Sequence, residues 1–166
     1  MKSELGSCLT YALIDSGASI SAIRLDTADA VGARVTQKES KLVTFGKNET
    51  AHRDFTSFEI EPIDQTFSIR IKDALVGDIL TTEKEKPPTN KVAECHPFMA
   101  GVNFVELDDP TVSVILDVRH AWTWAGGETK SGSRDEPIAL KTRWGWTLLG
   151  AQENQRKKRN PNLEFD

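Results

Sequence analysis

Cysteine is scarce in this chain: Cys8 and Cys95 are the only two in 166 residues. They lie far apart without metal-ligand spacing, so the sequence supports neither a zinc site nor a disulfide framework, and both are expected as free thiols in a reducing compartment. An excess of positive charge is also missing. Lys and Arg number 21 against 25 Asp and Glu, a net charge of −4 that argues against a general nucleic-acid binder. No apolar run approaches membrane-spanning length, and Met1-Lys2-Ser3-Glu4 does not open a long apolar secretory segment. The expectation is a soluble, intracellular, cytoplasmic protein with neither membrane nor nucleic acid as partner. Internal repeats are absent too, and the one chemically pointed motif occurs a single time.

With 38% hydrophobic and 28% charged residues, the length suits one domain with a core, expected over residues 5–150. Residues 151–166 are polar and lack periodicity, which reads as a disordered or linker tail. Its basic cluster, Arg156-Lys157-Lys158-Arg159, fits a solvated tail.

The single motif is Ala12-Leu13-Ile14-Asp15-Ser16-Gly17-Ala18-Ser19. Thr10 to Ile14 reads as a buried strand that delivers the Asp15 carboxylate into a turn of small residues. A buried carboxylate needs donors or a partner that shares its proton. Gly17 permits close backbone approach, Ser16 supplies a hydroxyl and Ala18 leaves room.

Downstream, Ser19–Ile23 is expected as a short strand with Ile20 and Ile23 inward. Leu25–Val31 follows as a short helix capped by Asp26 and ended by Gly32. From Lys41 to Ile79 the pattern is β: Leu42–Phe45, Phe55–Ile60, Thr66–Ile71 and Ala74–Leu80, separated by polar turns. Phe67, Ile69 and Ile71 alternate with Ser68, Arg70 and Lys72. Gly46-Lys47-Asn48-Glu49 marks a hairpin. Thr81 to Asn90, with Pro87-Pro88, is a loop expected to continue irregularly to Pro110. Thr111–Leu116 resumes as an apolar strand, His120–Trp124 as a short helix, Gly126–Asp135 as a loop, and Ile138–Thr142 with Trp144–Leu149 as closing strands. On strands, Trp122/Trp124 and Trp144/Trp146 would each share a face, which suits core or interface packing.

Ile14-Asp15-Ser16-Gly17-Ala18 resembles the active-site motif of retroviral-type aspartic proteases. The chain further resembles the protease region of BEL/Pao-type retrotransposon polyproteins. In that region an apolar strand and a following Trp precede a closing P-x-A-x-x-T-x-x-G-W-x-L-x-G; here Val112–Leu116 and Trp122 stand in the first place, and Pro137 to Gly150 in the second. The resemblance implies an all-β, retropepsin-like closed barrel with a flap hairpin and one or two short helices. Phe45, Gly46, Lys47 and Asn48 are the candidate flap, although an ordinary exposed hairpin explains them equally. It implies an aspartic endopeptidase acting on a peptide or polyprotein, with Asp15 catalytic, Ser16, Gly17 and Ala18 supporting its loop, and no metal or cofactor.

Such chemistry needs two carboxylates close enough to share a proton. Asp26, Asp29, Asp108, Asp109, Asp117 and Asp135 all lack the D-[ST]-G context, so the second carboxylate must come from another copy of the chain, in a two-fold homodimer. His52, His96 and His120 fit no Ser/His/Asp order, which makes Ser16 structural rather than nucleophilic. Retropepsin domains usually begin with a further strand before the motif, and its near absence here reads as a trimmed domain.

One position departs from the family. Where its second apolar strand ends in Gly, this chain has Asp117, which either disturbs the active-site loop or directs its carboxylate to solvent. The alternative function, from a different class, is a catalytically silent retropepsin-like module for dimerisation or peptide binding.

Overall fold

The computed structural model describes residues 6–44, 47–78 and 86–150. Two units form within it: the chain up to Pro87 together with Leu107–Ala125, and Pro88–Glu106 together with the chain from Gly126 onward. Strands dominate both, so the all-β expectation is met, with short helices between them.

In the first unit a six-stranded sheet is built from β1 (Tyr11–Ile14), β2 (Ala22–Ile23), β3 (Val35–Thr44), β4 (Lys47–Ile60), β5 (Ile69–Val76) and β6 (Val112–Leu116), in the order β1-β6-β2-β5-β4-β3. The late strand β6 is thus inserted between the two earliest ones. It runs parallel to β1, pairing Leu13 with Ile115 and Ile14 with Leu116, and antiparallel to β2. An apolar run buried at four of five positions suits an interior strand. Ala22, Phe55 and Leu75 pack together with Ile20 and Ile115 against them. Phe58, Ile23, Ile71 and Leu116 are fully buried, each contributing about 1.5–3 kcal/mol by removal from water.

α1 (Leu25–Ala30) buries Thr27 and Ala28 and is followed, after its C-cap Val31, by Gly32, whose φ of +64° favours glycine. Its cap differs from expectation. Arg24 occupies the N-cap without a side-chain cap bond, and Asp26 sits in the first turn, accepting from Arg24 and Thr27.

β3 and β4 form a ribbon of ten paired positions, from Val35 with Thr56 to Thr44 with Lys47. The stretch before Phe55, expected as a polar turn, is therefore strand. A ribbon needs only backbone pairing, and where neither face is buried its side chains show no alternation. The separate strands expected on either side of Lys72 are one strand, β5, interrupted at Asp73, where φ is +52° and the pairing with β4 shifts. Ser57 Oγ accepts the Asp73 N–H there.

The closed barrel is not found. Among the described residues the six-stranded sheet is open, with β1 and β3 as unpaired edges. Closure requires the two edges to pair with consistent tilt and shear, whereas β3 presents an exposed edge carrying Lys38 and Glu39.

The second unit contains α2 (Asn90–Glu94), a 3₁₀ turn (Pro97–Met99) and a three-stranded antiparallel sheet of β7 (Thr129–Ser131), β8 (Ile138–Thr142) and β9 (Gly145–Leu149). Met99, Val102, Phe104 and Ala139 form its core, with Phe98, Trp146 and Leu148 against them. The segment to Pro110, expected to be irregular, carries α2 and the 3₁₀ turn in its first half and is irregular from Val102 on. Asn90 pins that irregular stretch, its amide accepting the Phe104 N–H at 2.8 Å and donating to the Phe104 carbonyl at 3.1 Å. Neither expected Trp pair shares a strand face: Trp122 and Trp124 lie at a 3₁₀ turn, the first exposed and the second buried, and Trp144 is in the turn before β9. Residues 151–166, expected as the tail, lie outside the described residues. Among the described residues no helix is long and apolar enough to cross a membrane.

Candidate active site

β1 carries Asp15 just past its last residue. The Asp15 N–H donates to the Leu116 carbonyl at 3.0 Å, which extends the β1–β6 pairing by one bond. The chain then reverses: Gly17 N–H donates to Asp15 Oδ1 at 2.8 Å, and Ala18 N–H to the Asp15 carbonyl at 3.3 Å. A Cβ at position 17 would meet Asp15 Oδ1 at 3.3 Å, so glycine is what lets the backbone approach the carboxylate. Asp15 and Ala18 are half-buried, and Ser16 and Gly17 are exposed at the tip. The structure thus brings Asp15, Ser16, Gly17 and Ala18 into one turn, with a carboxylate reachable from solvent.

The far side of this turn is also tied to β6. Val118 N–H donates to the Ala18 carbonyl at 3.1 Å. Between those two anchor points lies Asp117. Its carboxylate is not solvent-directed: it is fully buried and saturated with donors. Ser21 Oγ donates to Oδ2 at 2.7 Å, Arg119 Nη2 to Oδ2 at 2.8 Å, and Arg119 Nε and N–H to Oδ1 at 2.9 and 2.8 Å. Burial opposes ionisation of Asp117, but the Arg119 guanidinium, the Ser21 hydroxyl and the Arg119 N–H outweigh it and hold the carboxyl well below its usual range. Asp117 also serves as N-cap of the 3₁₀ turn Val118–Thr123.

Ser21 and Arg119 are thus site residues that the sequence reading passed over. Asp117-Val118-Arg119 after an apolar strand carries a local signal, an aspartate placed to cap a following short helix. Ser21 carries none, since its partner is 96 residues away.

Of the candidate flap, Phe45 and Gly46 lie outside the described residues. Lys47 and Asn48 are backbone-paired with Thr44 and Val43 at the ribbon end, in the part of the sheet order farthest from β1. His52 is exposed on β4. His96 Nδ1 lies 3.2 Å from Glu136 Oε1, and Glu136 also accepts the Ser133 N–H, the main cause of its lowered pKa. Asp109 accepts the Thr111 N–H in the turn before β6. No group of three or more His, Cys, Asp and Glu side chains among the described residues is arranged to hold a metal ion.

Compared with protein-family models, with curated proteins and with solved structures, the chain matches none.

Proposed function

We propose that the chain is the retropepsin-like protease domain of a BEL/Pao-type retrotransposon polyprotein, an aspartic endopeptidase that works as a homodimer without metal. The observation that carries this reading is the D-S-G-A turn itself. A strand ends at a solvent-reachable carboxylate, a glycine N–H holds one of its oxygens, and an apolar strand from late in the chain lies alongside. In the dimer the two Asp15 side chains share one proton across the two-fold axis. The ionised one takes a proton from a water that attacks the peptide carbonyl carbon, and the protonated one gives its proton to the carbonyl oxygen. Collapse of the tetrahedral diol then breaks the C–N bond, with a proton passing to the amide nitrogen. Ser16, exposed at the tip, would link the two turns, and the β3–β4 ribbon would serve as the flap. Closure of the retropepsin barrel belongs to this dimeric reading.

The test is peptide cleavage by the chain, its inhibition by a statine-type transition-state mimic, and its loss in Asp15→Asn. Unchanged cleavage in Asp15→Asn overturns the assignment. Asp117, in place of the family's glycine, favours a second reading: a silent module that dimerises and binds peptide. An intact dimer that binds peptide and never cuts it would establish that instead.

A further inference from the structure

We propose that Asp117 is a positioning residue for Asp15: its buried carboxylate, clamped by Ser21 and Arg119, fixes the strand end whose two flanking residues hold both sides of the catalytic turn. The inference rests on the reading of Asp15 as the water-activating group.

The geometry has three parts. Leu116 accepts the N–H of Asp15 and Val118 donates to the carbonyl of Ala18, so the residues immediately before and after Asp117 grip the entry and exit of the turn. Ser21 Oγ donates to the Asp117 carboxylate and lies 3.3 Å from the Asp117 N–H, tying this point to the start of β2, the strand on the other side of β6. Arg119 closes a bidentate pair from the 3₁₀ turn, which fixes the chain after Asp117 as well as before it. A glycine at this position holds nothing by its side chain. Here the side chain joins three segments, β2, β6 and the 3₁₀ turn, around the loop that presents Asp15, and a shift of about 1 Å in such a loop costs up to about a hundredfold in rate.

The experiment uses the whole chain and the variants Asp117→Asn, Ser21→Ala and Arg119→Gln. Cleavage is measured as kcat per active site titrated with the statine-type inhibitor, alongside KM and the NMR resonance of the Gly17 amide, which reports directly on the Asp15 turn. Asp117→Asn is expected to lower kcat about ten- to a hundredfold with KM changed less than about twofold, and to shift the Gly17 resonance; the other two variants do the same more weakly. Wild-type kcat and an unshifted Gly17 amide in all folded variants overturn the proposal. Should Asp117→Asn not fold, Ser21→Ala and Arg119→Gln decide on the same two criteria. Asp15→Asn in the same assay tests the underlying reading separately. If the wild-type chain does not cut peptide, that reading fails, and the Gly17 amide alone then decides whether Asp117 holds the turn.

Discussion

β1 and β6 run side by side in parallel and each delivers an aspartate one residue past a paired position, Asp15 after Ile14 and Asp117 after Leu116. Both carboxylates accept an N–H from two residues on, Gly17 in one case and Arg119 in the other. From there they diverge. Asp15 opens onto a tip of exposed small residues, whereas Asp117 is wrapped by a guanidinium and a hydroxyl and has no exposed surface. Two equivalent places in one sheet thus yield opposite environments, and the neighbours decide which. A carboxylate saturated with donors is held ionised as part of the structure, while one left reachable can exchange protons with a substrate.

Substitution should weight the two roles differently. On the proposed protease reading, Asp15→Asn is expected to lower cleavage by at least about 10²-fold by removing the proton-transferring group, and, because the position is half-exposed, to leave the urea midpoint nearly unchanged. Asp117→Ala should do the reverse in emphasis, costing about 3 kcal/mol in urea denaturation, since it strips the partner from Ser21 and Arg119 and leaves a void. That figure sits at the low end for a buried pair because the Arg119 side chain is half in solvent.

Acid titration sharpens the contrast. The folded-state pKa of Asp117 is depressed, so its contribution to stability is fully present above the unfolded carboxylate value of about 3.9 and is lost as pH falls below it. The wild-type chain should therefore lose stability from about pH 4 downward, and Asp117→Asn should show a shallower slope there. Arg119 stays charged throughout, and Asp73, whose carboxyl is lowered chiefly by Lys38, leaves part of the slope in place.

Gly17→Ala tests the other carboxylate. Its methyl group would crowd Asp15 Oδ1 at 3.3 Å, for an expected cost of about 1 kcal/mol and a measurable drop in kcat. The smallest effect belongs to Asp26→Asn. Arg24 grips Asp26 in the same bidentate manner as Arg119 grips Asp117 and lowers its pKa to about 2, but the carboxylate is 61% exposed. Solvent screening limits the loss to under about 0.5 kcal/mol by thermal melting.

The two environments were unequally legible in the sequence. The Asp15 turn is local, so strand, carboxylate and glycine could be read in order from Ile14-Asp15-Ser16-Gly17. β6 was equally plain as Val112-Ser113-Val114-Ile115-Leu116, an apolar run between a proline and a charged stretch. The fate of Asp117 was not, because burial there depends on Ser21, remote in sequence and near only after β6 has slipped between β1 and β2. The β3–β4 ribbon was half legible. Its apolar ends read as strands, but Lys47–Asp54 satisfies its backbone by pairing alone and carries no alternation to read. α2 and β7 span five and three residues, too short for any periodicity to emerge. Barrel closure was an inference from resemblance, and the open sheet edges at β1 and β3 do not supply it.

The most direct test of the central claim mixes wild-type chain with Asp15→Asn chain at fixed total concentration, after subunit exchange, and follows peptide cleavage against the wild-type fraction. If each site needs an Asp15 from both partners, the rate falls with the square of that fraction, to about a quarter at equal mixing. A rate that falls in simple proportion would mean that one chain carries a complete site by itself, and the paired-carboxylate account would be wrong.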